Sequence, residues 1–174
     1  MPPAILAVSA LLSGTAFLFL GSGLYNTLIA IRATGEGFAP SVVGAVMGAY
    51  YLGFLVGCLY CPRLIYGVGH IRTYAALTAI ASAATLAHML QVDPMTWGVL
   101  RMIVGFCLAG LYMTIESWLN GKASSDSRGR IFAIYMMVNL GALGFGQLLL
   151  LTKDGLQSFN AGEVSLRLAN SVNA

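Results

Sequence analysis

Five long apolar stretches constrain the fold of this chain more than any other feature of its sequence. They cover residues 4–31, 42–61, 73–90, 95–119 and 131–151. A helix of about 20 apolar residues crosses a hydrocarbon layer of about 30 Å, and each stretch is close to that length. The stretches lack the alternation of apolar and polar residues that a membrane barrel strand shows. The sequence therefore predicts an all-α integral membrane protein with five transmembrane helices.

Charge is too scarce in this chain for a water-soluble fold. Of its 174 residues, 9% are charged and 58% are hydrophobic, whereas about a quarter of the residues in a soluble domain are charged. The net charge of +3 is spread along the chain without a run of like charges, so we expect no nucleic-acid partner. The lipid bilayer is the expected partner of the apolar surface.

Helix breakers and polar residues lie between the apolar stretches. We expect Pro62 to end the second helix, and Asp93 and Pro94 to cap and start the fourth. The last part of the chain is polar and has no apolar run long enough to cross a membrane. Residues 1–152 are thus predicted to form the membrane domain, and residues 153–174 a disordered tail.

The basic residues between the stretches predict how the chain lies in the membrane. One side carries five of them, namely Arg63, Arg72, Lys122, Arg128 and Arg130. The other side carries only Arg32. By the positive-inside rule the N-terminus is cytoplasmic. His88 and Trp97 are near the outer ends of their stretches, where we expect them at the membrane interface.

Glycine occurs 21 times and is frequent within the apolar stretches. Small residues allow membrane helices to approach one another closely. In the second stretch, Gly44 and Gly48 lie about half a turn away from Gly53 and Gly57, so we expect that helix to pack on two sides. Close packing is the interpretation that we favour, and a hinge that moves during function is the alternative.

The polar residues of the fourth stretch are the strongest candidates for a functional site. Positions 101, 105, 108, 112 and 116 advance by four, three, four and four residues, so they share one helix face. This face carries Arg101, Gly105, Leu108, Tyr112 and Glu116. Arg101 and Glu116 are about 22 Å apart along the helix, too far to pair with each other.

Arg101 and Glu116 each allow two interpretations. Arg101 either extends its long side chain to the outer interface or faces a cavity and takes part in binding or coupling. Glu116 either forms a cytoplasmic ion pair with Arg128 or Arg130, which we favour, or has a direct role in function. Each charge therefore needs a partner of its own, or water.

The remaining polar side chains give weaker signals. Asn26 and Asn139 are expected to hydrogen-bond a neighbouring helix, or else to contact a solute. Cys58 and Cys61 lack the additional Cys or His ligands of a zinc site. The chain has no metalloprotease motif and no serine nucleophile elbow. We therefore expect no metal, no cofactor and no enzymatic activity.

Several short motifs lie between residues 12 and 150. They are Leu12-Ser13-Gly14 with Asn26-Thr27-Leu28, Pro62-Arg63-Leu64-Ile65 with Gly69-His70-Ile71-Arg72, Arg101 with Gly105, Glu116-Ser117-Trp118 through Arg128-Gly129-Arg130, Ala133 with Tyr135-Met136-Met137, and Gly144 with Gly146-Gln147. Together they resemble the N-terminal half of major facilitator superfamily transporters. The resemblance is greatest to a bacterial branch whose substrates are poorly defined, and it implies a location in the bacterial inner membrane.

This resemblance implies a secondary active transporter of a small solute that works by alternating access. Helices one and four would line a cavity, and helices two and five would help to gate it. Binding or proton coupling would involve Arg101, with Asn26, Tyr112, Glu116 and Asn139 as further candidates. A cytoplasmic gating loop would contain Gly57, Leu59, Arg63, Gly69 and Arg72.

Two departures from the family pattern bear on this function. Cys61 stands where the gating loop usually has an acidic residue that contributes to a charge-based lock. The sixth helix of the half and the whole second half have no counterpart, so we expect a truncated or frameshifted product or a gene fragment. Such a chain would need a complementary half or a homo-oligomer. The alternative is a non-transporting membrane subunit or remnant that packs against partner helices.

Overall fold

The computed structural model describes the backbone of residues 3–123 and 127–172, and the side chains of residues 11–123 and 127–150. Over this part of the chain it contains five helices and no strand. The helices are α1 (Pro3–Gly35), α2 (Pro40–Val68), α3 (His70–Ala87), α4 (Pro94–Lys122) and α5 (Arg128–Val172). The prediction of an all-α membrane protein with five helices is confirmed.

The predicted tail, residues 153–174, continues the backbone of α5 to Val172. Its side chains lie outside the described residues. The division of the chain into a membrane domain and a disordered tail therefore stays a prediction.

Four of the five helices are long and apolar enough to cross a membrane, judged by length and composition. These spans are Leu11–Gly35, Pro40–Val68, Pro94–Lys122 and Arg128–Leu150. α3 is less apolar and has 18 residues, which is about 27 Å of helix. Its ends nevertheless reach both ends of α4, because His70 lies 3.0 Å from Ser117 and His88 packs on Trp97. α3 thus runs the length of the bundle beside its longer neighbours.

The predicted boundary between the second and third helices is wrong. α2 continues through Pro62 to Val68, and α3 begins at His70, so Gly69 alone separates them. Gly69 has a φ of 92°, in the left-handed region that side chains rarely adopt. A proline within a membrane helix is tolerated where nearby groups satisfy the freed backbone carbonyl. The residues expected to form a gating loop are therefore mostly helical.

α4 is the central helix of the bundle. It packs along α2 and α3, while α5 packs along α1. Leu77 of α3 joins Leu108 and Leu111 of α4 in one buried cluster. A second cluster connects α1, α4 and α5 and contains Phe19, Ile115, Leu119 and Tyr135. On the face of α4 that was predicted to be functional, Arg101, Gly105 and Leu108 are buried, and Tyr112 and Glu116 are partly buried.

Two glycines allow the backbones of α2 and α4 to approach closely. A Cβ atom on Gly53 would collide with the carbonyl oxygen of Met102, and a Cβ atom on Gly105 would collide with the carbonyl oxygen of Tyr50. The contact is reciprocal, because each glycine meets the residue three positions before the other glycine. This agrees with the close packing that small residues permit in membrane proteins.

The same arrangement recurs between α1 and α5. A Cβ atom on Gly23 would meet the carbonyl oxygen of Leu143, and one on Gly146 would meet that of Leu20. Again each glycine lies against the residue three positions before the other. The two closest helix pairs of the described bundle are therefore joined in the same way.

The expected packing on both sides of α2 does not extend to its first glycine pair. Gly44 and Gly48 are exposed, and nothing among the described residues lies within 4 Å of a Cβ atom at either position. They lie nine and five residues before Gly53, on a face of α2 that does not turn towards α4. Only the pair formed by Gly53 and Gly57 meets another helix.

The turn before α4 is capped as predicted. The Asp93 carboxylate accepts a hydrogen bond of 2.7 Å from the backbone N–H of Thr96, and Pro94 follows as the first helical residue. This hydrogen bond holds the pKa of Asp93 below its usual value. The cap fixes where α4 begins, and hence how deep Arg101 lies.

We expect Gly53→Ala to destabilise the bundle by about 1–3 kcal/mol, because the new methyl group forces α2 away from α4. Gly48→Ala in the same helix is the matched control and should be neutral, or stabilising by up to about 1 kcal/mol, because alanine favours helix and has open space there. Unfolding in mixed detergent micelles measures both variants. Equal stability of the two would contradict the close approach at Gly53.

Candidate functional site

Arg101 lies at the meeting point of three helices. Its side chain is 1% exposed. Its Nη1 atom donates a 2.8 Å hydrogen bond to Oδ1 of Asn26 in α1, and its Nη2 atom lies 2.9 Å from Sδ of Met47 in α2. The guanidinium group therefore connects α4 to α1 and α2. The close contact at Gly105, one turn further along α4, brings α2 within its reach.

Two tyrosine rings cover the guanidinium group. Its Cζ atom is 5.2 Å from the ring centroid of Tyr25 and 5.6 Å from that of Tyr50. Both distances are in the range of cation–π attraction, which strengthens where water is excluded. The rings and the Asn26 amide thus take the place of the water that a cation loses on burial.

Among the described residues, no carboxylate lies against this cation. The one ion pair within the described residues joins Arg32 and Glu36, at 3.4 Å. Nε of Arg101 is buried and has no hydrogen-bond partner, and the thioether sulfur of Met47 is a weak acceptor. A buried charge without an opposite charge is costly, so the protein holds Arg101 here against a free-energy penalty.

Neither sequence interpretation of Arg101 describes this conformation fully. The side chain does not extend to the outer interface, because α1 and α2 cover it. It does not face open solvent either, since its exposure is 1%. Its assignment to binding or coupling stays a prediction.

A second set of buried groups continues from this site to the end of the bundle. His88, directly after α3, is buried beneath the rings of Tyr25 and Trp97. The Tyr25 hydroxyl lies 3.2 Å from the His88 ring nitrogens, and Nη1 of Arg32 donates to the His88 carbonyl oxygen. The indole N–H of Trp97 donates to the carbonyl oxygen of Gln91 at 2.8 Å.

The depth of His88 and Trp97 at the membrane interface stays a prediction, but neither side chain faces the membrane surface as an interfacial anchor would. Both side chains are buried within the bundle. Trp97 is enclosed by residues of α1 and α2, including Ile29, Ala33 and Val46. A polar aromatic side chain can be buried when its polar atom finds a partner, as Gln91 provides here.

The other candidates, Tyr112, Glu116 and Asn139, lie together, nearer to the end of α4 opposite Arg101. Tyr112 stacks on Phe19 with centroids 4.7 Å apart, and Tyr135 donates a hydrogen bond of 3.5 Å to Glu116. Asn139 is buried beside Tyr112 and Tyr135, and its Oδ1 atom has no hydrogen-bond partner. Tyr112, Glu116 and Asn139 thus form one group, separate from Arg101 and Asn26.

The ion pair predicted for Glu116 is not among the contacts of the described residues. Glu116 instead accepts from Tyr135, which lies on α5. Arg128 and Arg130 are in the first turn of that helix, so all three residues are at the same end of the bundle. Pairing between them stays a prediction.

The residues expected to form a gating loop are spread over two helices. Gly57, Leu59 and Arg63 lie within α2, Gly69 separates the helices, and Arg72 is in the first turn of α3. Of these, Gly57 packs on α4, where a Cβ atom would lie 2.7 Å from the carbonyl oxygen of Phe106. Cys61 is fully buried on the same face, with its sulfur 3.9 Å from that oxygen. A gating role for these residues stays a prediction.

Sequence reasoning missed the uncharged partners of Arg101. Tyr25, Met47 and Tyr50 are apolar or aromatic residues within apolar stretches and carry no charge signal. One signal was available for Tyr50, which lies three residues before Gly53 on the same helix face. The close contact at Gly53 therefore implies that Tyr50 meets α4 as well.

Comparison with known proteins identifies relatives of this chain. The MFS-type transporter YcaD of Escherichia fergusonii is 33% identical over 142 residues, which are 82% of this chain and 37% of that protein. YcaD of Escherichia coli O45:K1 gives the same identity and coverage. The chain belongs to the major facilitator superfamily. It is a multi-pass membrane protein, as its apolar helices also indicate.

This major facilitator chain spans 37% of the length of the curated relatives that it matches. No family model matches the chain. No solved structure matches it either. Its membership therefore rests on the aligned 142 residues, which are enough to include most of the five-helix bundle.

We expect Asn26→Leu to destabilise the bundle by about 1.5–3 kcal/mol, because the Arg101 guanidinium loses its charge-assisted hydrogen bond. Gln147→Leu, at an exposed position of α5, is the matched control and should change stability by less than about 0.5 kcal/mol. Unfolding in detergent measures both. A loss of the same size in the two variants would mean that the amide at position 26 has no special role.

Proposed function

We propose that this chain takes part in secondary active transport of a small solute across the bacterial inner membrane, by alternating access. Arg101, a fully buried cation that touches no carboxylate among the described residues, is the observation that carries this proposal. Ionisable groups within a membrane are costly and usually serve a solute pathway, a proton relay or a binding site. The relatives named as MFS-type transporters support the same role.

In this proposal Arg101 and Asn26 bind the solute between α1 and α4, or take part there in coupling transport to protons. The cation is kept away from water by Tyr25 and Tyr50, so a charge that arrives nearby would interact with it strongly. The N–H group at Nε of Arg101 has no hydrogen-bond partner among the described residues and can donate to such a group. Tyr112, Glu116 and Asn139 form a second polar group that would contact the solute at the other end of its path.

Alternating access requires groups of helices that move as units. The two glycine-joined pairs, α2 with α4 and α1 with α5, are candidates for such units, because their backbones are in direct contact. The complete transporter would contain further helices from a complementary half or a second copy of this chain. Coupling to protons is also part of the proposal.

We expect Arg101→Gln to reduce solute uptake at least about tenfold, which is a loss of about 1.4 kcal/mol, without preventing membrane insertion. Candidate solutes come from a screen of small metabolites for compounds that raise the unfolding temperature of the purified chain. Uptake of each radiolabelled hit into proteoliposomes is then measured with and without a proton gradient. Lys122→Gln, at an exposed position on the same helix, is the control and should transport normally.

The uptake experiment distinguishes a transporter from a non-transporting membrane subunit. Uptake that depends on Arg101 supports the transporter. Absence of binding and of uptake for every solute tested, both for the chain alone and together with a complementary half, favours a non-transporting membrane subunit. Uptake that is unchanged in Arg101→Gln would remove Arg101 from the mechanism.

The proposed orientation places the N-terminus in the cytoplasm. It is supported by the concentration of basic residues at one end of the bundle. We expect Glu36→Cys to react with an impermeant maleimide added to intact cells, and Gly121→Cys to react only after the cells are permeabilised. Both positions are exposed, at opposite ends of the described bundle. The reverse labelling pattern would invert the topology.

A further inference from the structure

Arg101 cannot itself gain or lose a proton in the physiological range. An arginine side chain keeps its charge below about pH 12. If Arg101 takes part in proton coupling, as the proposed function holds, a different group must bind the proton and transmit the change. The inference below rests on that proposed function.

Tyr25 connects Arg101 to a group that can titrate. Its ring lies over the guanidinium group, with 5.2 Å between Cζ of Arg101 and the ring centroid. Its hydroxyl lies 3.2 Å from the ring nitrogens of His88. Histidine ordinarily titrates near pH 6.5, within the range in which membrane pH gradients operate.

The hydrogen-bond partners of His88 determine which ring nitrogen carries the hydrogen. Nδ1 lies 2.9 Å from the carbonyl oxygen of Ala84, and a carbonyl can only accept, so Nδ1 carries the hydrogen. Nε2 of the neutral ring is then the acceptor, and the Tyr25 hydroxyl, which lies 3.2 Å from both ring nitrogens, can donate only to Nε2. Tyr25 is thus held in place by an unprotonated His88.

The charged groups that face His88 are both cations. From α1, Arg32 binds its carbonyl oxygen and is itself paired with Glu36. From α4, Arg101 lies beyond Tyr25, and Trp97 packs on the imidazole ring without a charge. From α2, the nearest titratable group, Tyr50, faces Arg101 rather than the imidazole.

Burial and these two arginines disfavour a charged imidazole. His88 is 1% exposed, and a positive charge on its ring would lie near both Arg101 and Arg32. The chain becomes exposed one residue later, at Met89 and Leu90. Water at this end of the bundle therefore has a short route to the ring.

We propose that His88 is the group that binds the coupling proton, and that Tyr25 transmits its protonation state to Arg101. A proton from water binds Nε2 of His88, which becomes a donor. The Tyr25 hydroxyl keeps its own hydrogen and turns so that its oxygen accepts from Nε2. This turn, together with the new positive charge, changes the contact between the Tyr25 ring and the guanidinium group, and so changes how firmly Arg101 is held.

The test is a pH titration of the full chain in lipid nanodiscs, labelled with ¹⁵N at histidine and arginine and observed by NMR. Arg101→Lys assigns the side-chain signal of Arg101, and His70→Gln separates the two histidines. We expect the Arg101 signal to shift with pH at the same midpoint as the His88 ring. The neutral ring should show its hydrogen on Nδ1.

Two variants test the connection between the groups. His88→Gln should abolish the shift of the Arg101 signal between about pH 5 and 8. Tyr25→Phe should leave His88 titrating and should remove most of the Arg101 response, because the ring over the guanidinium group then has no hydroxyl beside His88. His70→Gln is the matched control, since His70 bonds Ser117 at the opposite end of α3, and it should leave the response unchanged.

Different midpoints for Arg101 and His88 in the wild-type chain would overturn the inference, even if neither variant folds. So would a full Arg101 response in Tyr25→Phe, or its loss in His70→Gln. The titration needs no solute, so its result is independent of the uptake experiment. Transport without this coupling would refute the role of His88 alone, and coupling without transport would refute the proposed function alone.

Discussion

The direct contact of the α2 and α4 backbones at Gly53 and Gly105 sets the environment of Arg101. Without side chains between them, the two helices are close enough for Met47 and Tyr50 to reach Arg101 on the next turn of α4. A larger separation would leave the guanidinium group in a gap, where only water could solvate it. The burial of this charge is therefore a consequence of helix packing.

The groups around Arg101 compensate only part of the free-energy cost of burying its positive charge. Two aromatic rings, one amide oxygen and one sulfur replace water around the cation, and none of them carries a full negative charge. Such an arrangement stabilises the positive charge without neutralising it. The site therefore keeps an electric field that a neighbouring group can modify, which a closed ion pair with a carboxylate would have cancelled.

The sequence predicted the architecture of this protein better than its details. Helix number and class followed from the apolar stretches, because the bilayer leaves few alternatives for a backbone that cannot bond to water. The boundary at Pro62 was wrong, since the rule that proline ends a helix comes from water, where a broken turn can be solvated. The polarity of α3 was also underestimated, and that helix is not among the four that are long and apolar enough to cross a membrane.

The sequence likewise predicted only part of the candidate site. Arg101, Asn26 and Glu116 were recognised because polar atoms are rare in apolar stretches. Their actual partners were missed, since Tyr25 and Met47 look like ordinary membrane residues until the helices are packed. Interfacial positions for His88 and Trp97 were inferred from depth alone. Depth does not determine which way a side chain points, and neighbouring helices cover both of them.

The reciprocal glycine contacts have a consequence for how this sequence can change. The obstacle facing each glycine is a main-chain oxygen of the opposite helix, such as that of Met102 opposite Gly53. Every amino acid has that oxygen, so no replacement on the facing helix can make room for a methyl group. A substitution at one of these glycines therefore cannot be compensated by a second substitution on the facing helix. We expect the glycines to be retained while the surrounding sequence changes.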